Sequence, residues 1–330
     1  MISNLGRKRT KFAKNKAKFI KGFTMVELIL VIVIIGILSV FAMNIFLNIY
    51  RNYVISKSVN YLESKTELVL EQVTAILSDR IHDTTIGRKG DSNNSSDIIF
   101  IDSVTDQHTI LEWIGRSAQS QNLAGDSPKD SVGWSGFVDL EDSNSSLIKT
   151  PGSNLSEAKK AIENITNNSD TLGLVFAGVV PLGVRQGNGY GLDGKDAEYV
   201  MSVKIDDDDT IISNTEYNKK ISQYYQLAHT AYAIVPSQKG KLNRDEFVEY
   251  DYDGDGVGDF VEFELYLYYD YQPWNGGKFS DTVTKKTLLA ENVTLFRFRG
   301  NAGGIDIKLC MRDPDFVEVD YIVCKSKVVF

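Results

Sequence analysis

The chain has 330 residues, 42% hydrophobic and 24% charged, which is enough to bury a real core and fits neither a disordered chain nor a polytopic membrane protein. Its formal net charge of −8 hides an asymmetry: residues 1–22 carry eight basic side chains (Arg7, Lys8, Arg9, Lys11, Lys14, Lys16, Lys18, Lys21) and no acidic one, leaving 28 basic against 44 acidic residues for the rest. Such a body repels nucleic acid and argues against a DNA-binding main domain. The two cysteines and three histidines leave little material for a zinc site or a thiol–imidazole catalyst.

From Leu28 to Met43 the sequence is apolar apart from Gly36 and Ser39, and the basic block lies just before it. This is one membrane-inserting segment, with a charge order that keeps residues 1–22 in the cytoplasm. An ordinary secretory signal places its small residues after the apolar run. Here the small residue comes first, in Lys21-Gly22-Phe23-Thr24-Met25-Val26-Glu27-Leu28. A carboxylate at Glu27, in a helix otherwise made of Leu, Ile and Val, is costly in lipid and asks for a partner.

A basic leader ending in glycine, an aromatic residue after it, a glutamate four positions further and then an apolar helix resemble the N-terminus of type IV prepilins and type II secretion pseudopilins, over roughly residues 7–50. The resemblance implies that prepilin peptidase cuts between Gly22 and Phe23 on the cytoplasmic face and N-methylates Phe23. It also implies that Glu27, the fifth mature residue, pairs with the N-terminal amine of a neighbouring pilin or pseudopilin subunit, assembly proceeding in membrane lipid on an inner-membrane platform. Many major pilins carry a proline near the position of Asn44. No proline occurs here before Pro128, so the helix is expected without a proline kink.

The helical pattern continues beyond the membrane. Ile55, Val59, Leu62, Thr66, Val69, Val73 and Ile76 mark one face, opposite Lys57, Glu63, Lys65, Glu67 and Glu71. As one helix, Phe23–Ile81 would be about 88 Å long, and its second half needs a sheet to cover the stripe. Residues 84–170 are rich in Ser, Asn, Asp and Gly and read as a loop-rich insertion with minor strands and one short helix near Ser156–Ile165 started by Ser156. From 171 to 330 strand signals dominate: Leu172–Val180, Glu198–Ile205, Tyr224–Val235, Phe260–Tyr271, Val293–Arg299, Ile305–Met311 and Phe316–Val323. The predicted organisation is a leader (1–22), a membrane half of the helix (23–50), an amphipathic half (51–83), the insertion (84–170) and a β-rich body (171–330). The fold class is α+β, a spine helix packed on an antiparallel sheet, as the resemblance also implies.

Cys310 and Cys324 stand near the ends of two adjacent predicted strands. If the body lies outside the cytoplasm a disulfide is the default for such a pair, with two buried thiols as the alternative; many type IV pilins close a C-terminal loop in this way.

One stretch carries a strong chemical pattern. Residues 251–262 read Asp-Tyr-Asp-Gly-Asp-Gly-Val-Gly-Asp-Phe-Val-Glu and fill every position of an EF-hand calcium loop. Asp251, Asp253 and Asp255 supply oxygens, Gly256 allows the turn, Val257 offers its carbonyl, Asp259 acts directly or through water, and Glu262 closes the shell. Because Phe260–Tyr271 reads as a strand, the expectation is a structural calcium clamp without paired helices; the alternative is a solvated acidic turn. Asp206–Asp209 lacks this spacing.

Weaker signals are a glycine-rich stretch, 183–191, which matches no phosphate or dinucleotide pattern and reads as a flexible surface loop, and N-glycosylation sequons at Asn94, Asn144, Asn154, Asn164, Asn167 and Asn292. Asp91-Ser-Asn93-Asn-Ser95 and Asp142-Ser-Asn144-Ser-Ser146 also resemble the acidic-led sequon of bacterial oligosaccharyl transfer. His82, His108 and His229 belong to no triad or metal motif, and no enzyme is read. The reading is a processed, N-methylated pilin-like subunit that polymerises through its helix into a periplasmic or surface filament. Its rivals are a minor pilin or pseudopilin at the filament tip, and a membrane-tethered calcium-dependent binding module or adhesin that does not polymerise.

Overall fold

A computed structural model of the chain describes residues 22, 24–90, 97–123, 132–179, 189–251, 256, 258, 260–314 and 321–330. It is α+β. The first helix, α1, runs Met25–Ser78 without interruption, as the absence of proline leads one to expect. The chain divides after Ser56 into two units, taken in turn.

In the first unit every residue of α1 from Thr24 to Tyr53 is exposed, including all of its Leu, Ile, Val, Met and Phe side chains. The one hydroxyl within the apolar run, Ser39 Oγ, donates to Ile35 O at 2.7 Å, so the helix itself satisfies it.

Among the described residues the second unit has fifteen strands, in chain order β1 (Ile86–Arg88), β2 (Ile98–Phe100), β3 (Ile110–Gly115), β4 (Leu147–Lys149), β5 (Leu172–Phe176), β6 (Met201–Ile205), β7 (Thr210–Ser213), β8 (Tyr225–Ala228), β9 (Thr230–Ser237), β10 (Glu249–Tyr250), β11 (Phe260–Val261), β12 (Phe263–Tyr271), β13 (Lys285–Asn301), β14 (Gly304–Arg312) and β15 (Ile322–Val329). They form an antiparallel eight-stranded sheet in the order β15-β14-β13-β12-β9-β3-β1-β2, an antiparallel five-stranded sheet in the order β4-β7-β6-β5-β8, and the β10–β11 pair. The stretch 84–170 therefore supplies strands to both larger sheets.

Of the amphipathic stripe, Leu62, Thr66, Val69 and Val73 are buried, joined by Ser58, Leu70 and Leu77 as the 3.6-residue period drifts around the helix, while Ile76 is only half-buried. They pack on one face of the eight-stranded sheet, against Leu111, Trp113, Ile234, Leu265, Phe296, Ile307 and Leu309 among others. Successive strand residues point to opposite faces, so Ile110, Ile114, Ala231, Ala233 and Val235 form a second core on the other side. This second core holds a buried charge pair. Arg88 Nη2 and Nε donate to Glu112 Oε2 at 2.7 and 3.0 Å, and Arg88 also donates to Leu192 O. Tyr271 donates its hydroxyl to Glu112 Oε1 at 2.9 Å. Burial, and then the Glu112 carboxylate, pushes the Tyr271 phenol well above its ordinary pKa and keeps it a donor. A third core joins the five-stranded sheet to the helix α3 (Leu155–Glu163), which follows the single-turn α2 (Ala118–Gln121) in the chain.

Several boundaries differ from the sequence reading. The run expected as one strand, Tyr224–Val235, is two: β8 lies in the smaller sheet and β9 in the larger, with the chain crossing at His229. The run Phe260–Tyr271 likewise breaks at Glu262. The short helix is capped by Asn154, whose side chain accepts from Glu157 N at 3.4 Å, rather than started by Ser156. The last strand is Ile322–Val329; most of the expected Phe316–Val323 lies outside the described residues. Of the glycine-rich stretch, residues 183–188 lie outside them too, whereas Tyr190 and Gly191 are buried.

Cys310 and Cys324 are bonded, and they stand directly opposite each other within β14 and β15, not at strand ends. The edge strand β15 is also held to α1 by charge: Lys325 Nζ lies 3.0 Å from Glu67, and Lys327 lies 3.6 Å from both Glu67 and Glu71.

His229, at the crossover between the sheets, is buried, with Nδ1 2.9 Å from Ser117 Oγ. Desolvation lowers its pKa from 6.5 to about 4, only partly opposed by Asp270. The folded-state pKa of this base is depressed, so between pH 6.5 and 4 the unfolded chain binds the proton and the folded chain does not. Its contribution to stability is present at neutral pH and lost as pH falls through that window. Between pH 7 and pH 4.5 the wild-type chain in detergent is expected to lose about 2–3 kcal/mol more unfolding free energy than His229→Gln, measured by urea denaturation; equal losses would contradict the assignment.

Candidate functional site

Two regions carry the chemistry read from the sequence. At the N-terminus Gly22 is exposed, and Phe23 lies outside the described residues. Thr24 stands one residue before α1. Its N–H and hydroxyl donate to Glu27 Oε2 at 2.9 and 3.0 Å, and its Oγ1 accepts from Glu27 N–H at 3.3 Å. This is a reciprocal capping box: the threonine satisfies a free helix N–H while the glutamate reaches back to the cap. The carboxylate also sits at the positive end of the helix dipole. Glu27 is thus held in a defined pose at the head of a helix whose window of greatest mean hydropathy, 2.9 over 18 residues, is apolar enough to cross a membrane. Sequence reasoning singled out Glu27 but missed its partner, although the spacing Thr24-x-x-Glu27 was the available signal.

The second region is the acidic loop. Strands β10 and β11 pair antiparallel, Glu249 with Val261 and Tyr250 with Phe260, and residues 251–259 connect them in sequence. Within that stretch Asp251 Oδ2 accepts from Gly256 N at 2.8 Å, and Gly256 has φ +87°, the left-handed conformation that only glycine adopts at little cost. Glu262, at the break between β11 and β12, is engaged elsewhere: Oε1 accepts from Asn292 Nδ2 at 2.9 Å and Oε2 from Arg312 Nη1 at 3.2 Å. With the two side chains of that ion pair 19% and 13% exposed, a cation drawing on Glu262 has to compete with the Arg312 guanidinium. The other expected ligands, Asp253, Asp255, Val257 and Asp259, lie outside the described residues. Among the described residues no group of three or more His, Cys, Asp or Glu side chains is placed to hold a metal. Nothing in the sequence points to Asn292 and Arg312 as partners of Glu262, the sequon at Asn292 being unrelated to that contact.

Residues 18–43 match the family model of the prokaryotic N-terminal methylation motif, the signature of type IV pilins and pseudopilins. The matched segment contains Gly22, Phe23, Thr24 and Glu27 together with the apolar run through Met43. No match is found among curated proteins or solved structures. The motif marks a processed, type IV pilin-like subunit and implies prepilin peptidase as the processing enzyme. Together with the exposed apolar helix it fits a membrane-anchored chain, and the proteins that carry it are structural rather than enzymatic.

Proposed function

We propose that the chain is a structural subunit of a type IV pilus or type II secretion-type filament and not an enzyme. In this reading the peptidase cuts between Gly22 and Phe23 and methylates the new amine. The basic leader and the cut lie on the cytoplasmic side of the inner membrane, α1 crosses once, and the body stands outside. The observation that carries the proposal is the methylation motif over residues 18–43. Two physical features support it. The apolar surface from Met25 to Tyr53 is exposed on all sides, and lipid or other helices are the natural solvents for such a surface. The Glu27 carboxylate, costly in that setting, is neutralised when the cationic N-terminus of a neighbouring subunit comes beside it. The Glu27→Val chain is expected to be cut and methylated normally but to be strongly depleted from sheared filaments relative to the membrane fraction; wild-type incorporation of the variant would contradict the assembly role.

We further propose that residues 251–262 clamp one calcium ion through Asp251, Asp253, Asp255, the Val257 carbonyl, Asp259 and Glu262. Support comes from five carboxylates in motif register, from the Gly256 conformation and from the Asp251–Gly256 hydrogen bond. Calcium at 100 times its dissociation constant would add about 2.7 kcal/mol to stability. A rise in melting temperature with millimolar calcium, much smaller with magnesium and largely lost in Asp253→Asn, is the expected result in thermal denaturation of the detergent-solubilised chain. The Asp253 substitution leaves the Glu262–Arg312 pair untouched, so its effect reports on the ion. An unchanged melting temperature in calcium would reduce the loop to an acidic turn.

A further inference from the structure

Five sequons fall on described residues, and the structure treats them differently. Asn154 is committed to capping α3, with its side chain accepting from Glu157 N. Asn292 lies within β13 at φ +58°, and its Nδ2, the atom a glycan would take, donates to Glu262 Oε1 at 2.9 Å. Asn164 and Asn167 are exposed, but the hydroxyl residues that complete their sequons, Thr166 and Ser169, are buried, and Thr166 Oγ1 donates to Asp270 at 2.5 Å.

Asn144 differs from Asn292 in leaving Nδ2 undonated among the described residues, from Asn164 and Asn167 in having an exposed sequon hydroxyl, and from Asn154 in being exposed and outside any helix cap, although its Oδ1, like that of Asn154, accepts from backbone N–H groups. It lies in the loop that leads into β4, an edge strand of the five-stranded sheet, and Asp142, Asn144, Ser145 and Ser146 are all exposed. Its Oδ1 accepts from Ser146 N at 2.8 Å and Leu147 N at 3.0 Å, which fixes the amide plane. Nδ2 and the Ser146 hydroxyl make no hydrogen bond among the described residues. Of the five, this sequon alone has an acidic residue, Asp142, two positions before the asparagine. Releasing the loop into an enzyme's active site costs these two hydrogen bonds and two backbone ones, from Asn144 N to Leu147 O and from Ser213 N to Ser146 O, each worth only about 1 kcal/mol net.

We propose that Asn144 is an N-glycosylation site, modified by a membrane oligosaccharyltransferase from a polyprenyl-pyrophosphate-linked oligosaccharide. This rests on the reading above that the body stands outside the cytoplasm. In the transfer a bond forms between Nδ2 and the anomeric carbon, and the bond from that carbon to the pyrophosphate oxygen breaks. The electron pair leaves with the pyrophosphate, and the amide proton passes to a carboxylate of the transferase. The product is a bulky, solvated group on an exposed turn that makes no contact with either α1-facing or buried core residues.

The test is peptide mass spectrometry of the full chain purified from membranes of its native host. The peptide spanning 142–146 is expected to carry a glycan mass increment that disappears in Asn144→Gln and in Ser146→Ala, falls in Asp142→Ala and persists in Asn154→Gln. Recovery of that peptide at its unmodified mass, from protein whose Cys310–Cys324 bridge is formed, overturns the proposal. An increment confined to the Asn154, Asn164, Asn167 or Asn292 peptides overturns it as well. Unmodified Asn144 together with two free thiols would instead show that the body never reached an oxidising compartment, so the outward orientation fails and takes the proposal with it.

Discussion

A single helix that changes solvent along its length is the constraint on which the rest of the molecule depends. From Leu28 to Met43 α1 is apolar on every side apart from Ser39, and from Ser58 to Leu77 it is apolar on one face only. The second stretch cannot be stable in water alone, because helix formation in isolation is marginal and the stripe would stay wet. Burying Leu62, Val69, Leu70, Val73 and Leu77 against the eight-stranded sheet removes that cost, at about 1.5–3 kcal/mol for each side chain. The sheet in turn uses the helix as cover on that face, where Leu111, Ile234, Leu265, Ile307 and Leu309 share one core with it, joined by Ile101 and Phe247.

The opposite face of the same sheet is organised by charge as well as by apolar contact. Arg88 and Glu112, on β1 and β3, bond to each other, and their further hydrogen bonds reach Leu192, outside the sheet, and Tyr271, on β12 of the same sheet. A buried ion pair roughly breaks even in stability against an apolar replacement, so what this one contributes is position: only one placement of Leu192 and Tyr271 satisfies both partners. At the edge, β15 turns Lys325 and Lys327 toward α1 where other strands turn leucine or isoleucine. Glu67 and Glu71 meet them, and the disulfide to β14 fixes the register. Exposed ion pairs of this kind are individually weak, which makes the covalent link the stronger tie.

Much of the fold was legible because it depends on periodicity. The uninterrupted apolar run, the 3.6-residue stripe and the lack of early prolines define α1, and alternating β-branched and aromatic residues mark most strands. What could not be read was which sheet a strand joins. Tyr225–Ala228 and Thr230–Ser237 form one apolar run in sequence, yet His229 divides them between two sheets through contacts with Ser117, 112 residues away. Strand β15 escaped for a related reason, since its inward positions are lysines whose partners lie on α1. At the N-terminus the basic leader, Gly22, Phe23, Glu27 and the apolar run were legible as a pattern, and the methylation motif matches over residues 18–43. Thr24's role needed only the cap spacing, whereas the Glu262–Arg312–Asn292 cluster joins three strands and has no local signature.

The functional account rests on the short segment in which basic leader, Gly22, Phe23 and the Glu27 capping box meet. A helix so exposed and so apolar is usable only if it is delivered to a membrane and then given partners, and the charge at Glu27 is tolerable only with a cation beside it. In the proposed reading, removal of residues 1–22 would create that cation at Phe23 and so link processing to assembly through one new amine. The most direct test of the account is the mass of the N-terminal peptide of the mature protein taken from the cell envelope. A peptide beginning at Phe23 with one added methyl group on its amine is the expected result, and an N-terminal peptide that retains the basic residues before Gly22 would contradict it.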